Sequence, residues 1–158
     1  MRRGVLAMAV LAIVGQVFQP ARTNPPVDPA RTLYASVQVP AEVRTILDRS
    51  CRDCHSNDTV WPWYASVSPM SWLVVGHVNE GREHLSFSDW TPSGHHSLNE
   101  RLEDMCKEVR GGEMPLTSYT LLHREAKLSS DDVGILCAWT DVARASLIGP
   151  GITSEPAQ

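Results

Sequence analysis

Several common features are missing from this 158-residue chain. It has no basic excess. Lys and Arg number 14 against 18 Asp and Glu, a formal charge of −4, which argues against a nucleic-acid binder. Acidic and basic residues are interleaved without a long block of either sign, so no charged interaction tail is expected. No segment alternates apolar and polar residues as a half-buried strand does, and no segment repeats. Only one long apolar run occurs, Gly4 to Phe18, broken only by Gln16. It falls short of the about 20 residues that span a bilayer comfortably. No Ala-x-Ala follows it, since Ala21 is preceded by Gln19 and Pro20.

What is present begins with that run. Arg2 and Arg3 precede it, and a short basic segment before an apolar stretch reads as an export signal. Residues 1–21 are therefore expected to be a cleaved signal peptide or a retained membrane anchor through residues 4–18. In both cases the domain lies outside the cytoplasm, in the periplasm of a bacterial-type cell. Residues 22–39 follow as a linker, with Pro25, Pro26 and Pro29 removing amide donors and fixing φ, so a semi-extended spacer is expected.

Residues 40–148 read as one helical domain, and 149–158 as a flexible tail. Pro40 suits a first helical turn, and Val43, Ile46 and Leu47 give an apolar repeat leading into Cys51. A second helix is predicted from Pro69 to about Arg82, capped by Ser68, with Trp72, Leu73, Val75 and Val78 inward and Gly81 near its end. Ser97 and Glu100 match a capping box; Leu98, Leu102, Met105 and Val109 line one face of the helix they open, and Gly111-Gly112 stop it. A last helix follows Ser129, with Asp131 and Asp132 at its positive end and Val133, Leu136, Cys137 and Thr140 inward. The predicted class is all-α.

Cys51-Arg52-Asp53-Cys54-His55 carries the chemistry. It is the pattern of c-type haem attachment. Two thiols with two residues between them match the two vinyl groups of the porphyrin, and the histidine that follows is brought to the iron. A zinc site would need two more ligands, whereas Cys106 and Cys137 are far apart in sequence. A thioredoxin-like pair expects a strand–helix–strand context, which is lacking. A Cys51–Cys54 disulfide would close a strained small loop and leave His55 unexplained.

A second axial ligand is expected from Met114, beside Pro115 in the loop after Gly111-Gly112, because thioether sulfur is a recurring partner of histidine on c-type iron. A core role is its plain alternative. Among histidines, His77 and His123 are the rivals, ahead of His84, His95 and His96; Met70 reads as packing. Cys106 and Cys137 are expected to form a structural disulfide in an exporting context. Trp61, Trp63 and Trp72 are expected to cover a haem face, and Arg82 either pairs with a propionate or is a solvated helix-end arginine.

From Cys51 to about Trp139 the chain resembles the bacterial haem-binding domains related to cytochrome c. The likeness rests on Cys51, Cys54, His55, Asn57, Thr59, Trp61-Pro62 and Tyr64, then Pro69, Trp72, Gly81-Arg82 and Trp90, then Met114-Pro115, Tyr119, His123 and Leu128. Asn24-Pro25-Pro26 resembles the family's entry linker, and Ser86 stands where the pattern leads one to expect asparagine. The resemblance implies a cytochrome c-like helical domain around one covalent haem c, held by Cys51, Cys54 and His55, with Met114 distal. The expected function is one-electron transfer with redox partners at the membrane or in the periplasm, without acid–base catalysis. The alternatives are an open-iron peroxidase or gas sensor, and an accessory module of a membrane complex.

Overall fold

The computed structural model describes residues 2–92 and 97–148; His95, His96 and the expected tail lie outside the described residues. Among the described residues eight α-helices follow one another: α1 (Arg2–Val17), α2 (Leu33–Ser36), α3 (Ala41–Ser50), α4 (Arg52–His55), α5 (Met70–His84), α6 (Leu98–Gly111), α7 (Thr117–Thr120) and α8 (Ser130–Ile148). Three 3-10 turns, Pro29–Arg31, Trp63–Ser66 and Arg124–Ala126, complete the regular structure. Among the described residues there is no strand, so the fold is all-α as expected.

The scaffold is the antiparallel pair α6 and α8, packed on α3. In α6, Leu102, Met105 and Val109 of the predicted stripe are buried with Cys106, while Leu98 at its start is half-buried. Its capping box is formed: the Ser97 hydroxyl accepts from the Glu100 amide, and the Ser97 amide donates to the Glu100 carboxylate. Gly112 closes the helix at φ 76°, a conformation that favours glycine. α8 starts on a similar reciprocal pair, Ser129 and Asp132. Arg49, at the end of α3, bridges to Asp132 at 2.9 Å and ties the two helices together. Cys106 and Cys137 form the expected disulfide, Cα atoms 4.9 Å apart, joining α6 to α8. Leu47, Leu102 and Leu136 are fully buried in the same core; each contributes roughly 1.5–3 kcal/mol by leaving water.

Two local expectations need correction. Ser68 does not cap α5; Pro69 occupies that position, and the Ser68 amide donates to Gln16 Oε1. The helix also runs through Gly81 to His84. The stretch read as a spacer is partly core: Leu33 and Val37 are buried, the Leu33 amide donates to the Phe87 carbonyl, and the Trp90 amide donates to the Arg31 carbonyl. Prolines forbid a long helix there, but short turns between them deliver these apolar side chains.

Candidate functional site

Cys51 ends α3 and α4 follows at once, so one turn carries both thiols and the histidine. α5 lies close against this turn. A Cβ placed on Gly81 would sit 2.7 Å from the Cys54 carbonyl oxygen, so only glycine permits the approach. The contact sets the histidine. His55 Nδ1 lies 2.9 Å from both the Gly81 and the Leu85 carbonyl oxygens. Carbonyls accept only, so Nδ1 carries the hydrogen and Nε2 keeps its lone pair. Burial lowers the histidine's proton affinity, the hydrogen bonds to Leu85 and Gly81 opposing it, which favours the neutral ring a metal requires. The His55 carbonyl in turn accepts from the Phe87 amide at 2.6 Å.

Cys51, Cys54 and His55 line a cavity of about 610 Å³, within the usual size of cofactor sites. Its wall is largely apolar, including Leu73, Val74, Val78, Met105 and Val109. Met114 and Pro115 also line it, beyond the end of α6. Both motif cysteines are free. Burial pushes their thiols up, Cys51 to about 12 and Cys54 to about 11, so they stay neutral at physiological pH. Among the described residues no three His, Cys, Asp or Glu side chains cluster as a metal cage, and Cys106 and Cys137 are used by their disulfide. A zinc site thus finds no third ligand.

One part of the wall is polar. Tyr64 Oη lies 2.7 Å from His123 Nε2, the Tyr119 ring stacks on His123 with centroids 4.3 Å apart, and the Tyr119 hydroxyl donates to Asp53 at 3.0 Å. Glu125 faces His123 Nδ1 at 3.4 Å. Both nitrogens of His123 are therefore engaged within the protein. His77 and His84 line the cavity from α5, and Met70 lines it at its edge.

The tryptophans differ from expectation. Trp61, Trp63 and Trp72 do not line the cavity; Trp63 is 80% and Trp72 is 55% exposed. Trp90 and Trp139 are buried in the core, with Trp139 Nε1 donating to the Gln38 carbonyl. Arg82 is half-buried and does not line the cavity. It donates to the carbonyls of Ser56 and Thr23, to Asn24 Oδ1 and to Thr59 Oγ1, and Asn24 donates back to the Thr59 carbonyl. This clamp fixes the entry segment against the loop after His55. Separation explains why sequence reasoning missed it: Arg82 and Asn24 are 58 residues apart.

The cavity suits a flat apolar cofactor on these observations: two neutral thiols and an imidazole with a free Nε2 converge on an apolar space. Residues 10–142 match the model of the haem-binding domain family. No curated protein and no solved structure matches the chain.

Proposed function

Because the chain belongs to the haem-binding domain family, we propose that it carries a single c-type haem and works as a one-electron carrier on the periplasmic side of the membrane. The observation that supports this most is the preset tautomer of His55 beside two unpaired thiols. Cys51 and Cys54 would hold the porphyrin by thioether links, and His55 Nε2 and Met114 would be the side-chain ligands to its iron. The bound haem supplies reversible one-electron chemistry at its iron.

The chain's own residues prepare the site without acid–base work. Gly81 and Leu85 carbonyls hold the His55 ring and increase its basicity as a ligand. Buried Val78, Met105 and Val109 would keep water from the bound group and lower its local dielectric, which would favour the less charged, reduced state. Tyr119 keeps the loop after Met114 against Asp53, next to the attachment turn.

A second reading is favoured by one observation, the Tyr64–His123 pair in the cavity wall. Polar groups there suit a displaceable distal position that binds a small gas or peroxide. Spectra of the reduced, matured protein with and without carbon monoxide separate the two. A closed Met/His carrier shows little change at neutral pH; rapid formation of a carbon monoxide adduct rejects the carrier and supports the second reading.

A further inference from the structure

α1 is apolar, and its exposed side chains lie on opposite sides. Met8 and Val17 are two and a half turns apart at about 3.6 residues per turn, and each is 72% exposed. Ile13 and Val14 are exposed between them. A helix that is apolar all round is covered all round, by a protein core or by lipid. Its C-terminal end is seated on the domain. Gln16 Nε2 and Gln19 Nε2 both donate to the Ser66 carbonyl at 2.8 Å, and Arg22 donates to the Ala65 carbonyl. That same segment bears exposed Trp63, Val67, Met70, Trp72 and Leu73, the largest apolar residues of the domain surface nearby. The family match begins at residue 10, inside α1, so the shared sequence takes in the C-terminal half of this helix.

We propose that α1 is retained and that, with the apolar ring of Trp63, Val67, Met70 and Trp72, it forms one continuous surface seated on a lipid bilayer. A protein groove would cover one side of α1, whereas lipid covers every side. The two exposed indoles are the side chains that settle at membrane–water interfaces. Arg2 and Arg3 begin the helix and favour anionic headgroups. At 16 residues α1 is about 24 Å long. Among the described residues no helix is long and apolar enough to cross a membrane, so α1 embeds in the bilayer without bridging it. Met70 and Leu73 belong both to the exposed surface and to the cavity lining, so the seated surface reaches the cavity. This seating does not require the cofactor assignment to be right.

The test uses the full chain matured with its haem. Hydroxyl-radical footprinting is run on the protein in detergent-free buffer and bound to vesicles of phosphatidylglycerol and phosphatidylethanolamine. Oxidation of Trp63 and Trp72 is expected to fall at least several-fold on the vesicles, while exposed Val142 on α8 keeps its rate. The double variant Trp63→Ser/Trp72→Ser should weaken vesicle partitioning by about tenfold with its visible spectrum unchanged, which shows that it has folded. Equal oxidation of both tryptophans with and without vesicles overturns the proposal. So does an intact mass showing that residues 1–21 have been removed. Absence of haem would instead count against the proposed function alone.

Discussion

The cavity has two walls built in different ways. On the Cys51–His55 side, the histidine is held by backbone: the His55 ring rests on two carbonyls, the Phe87 amide closes on the His55 carbonyl, and α5 packs against α4 at the contact that Gly81 allows. On the Met114–His123 side, one connection runs from the Gly112 cap to the Arg124–Ala126 turn, held to the cavity by side chains: Tyr119 on Asp53 and His123 on Tyr64. Backbone contacts are fixed by helix packing and survive most substitutions. Side-chain contacts can be removed one at a time. On the proposed function, the first wall would suit a permanent attachment, and the second is where ligand choice and potential would be tuned.

Substitutions can break or sharpen this contrast. The largest effect is expected from Gly81→Val. Its side chain would drive α5 from the Cys54 carbonyl, because the clash is with backbone and cannot be relieved by a side chain turning aside. Loss of matured haem per mole of chain, measured by absorbance, is the outcome; full haem content would show that the close contact is dispensable. Next comes the scaffold behind both walls. Cys106→Ser with Cys137→Ser should lower stability by roughly 3–4 kcal/mol in the loop-entropy model, seen in denaturant midpoints, while the reduced spectrum stays as it was.

On the second wall, Met114→Ala should leave attachment intact and open the iron to carbon monoxide. Unchanged axial spectroscopy would remove Met114 as ligand. The smallest effect belongs to Asp132→Asn, which is not part of the cavity lining. The Ser129 backbone hydrogen bond, with Arg49, holds the Asp132 carboxyl below its ordinary value. Its folded proton affinity is lower than its unfolded one, so its stabilisation is present above the ordinary aspartate range and is lost as pH falls through the folded value. The variant should lose about 1 kcal/mol at pH 7 and less at pH 3, by thermal unfolding at both pH values. Equal losses at both would show that the carboxylate's charge is not the cause.

What could be read from the sequence follows from distance along the chain. The capping box of α6, its apolar stripe and its glycine stop are signals within one helix, and each is found where it was expected. The inward face of α8, with Leu136, Cys137 and Thr140, is equally local. The burial of Leu33 among prolines was missed because its partner Phe87 lies far along the chain. Gly81 looked like a helix end, and only the packing of α5 on α4 reveals its purpose. Tyr64 and His123, 59 residues apart, could not be paired from sequence. Within the site, Cys51, Cys54, His55 and Met114 are brought to one cavity, but Trp61, Trp63 and Trp72 are not.

Covalent attachment is tested most directly on the denatured chain. The protein is matured in a host that attaches c-type haem, unfolded, and extracted with acidified organic solvent. Colour that stays with the polypeptide, and disappears when Cys51 and Cys54 are both changed to serine, is the predicted result. A colourless polypeptide with its porphyrin in the organic layer would contradict it.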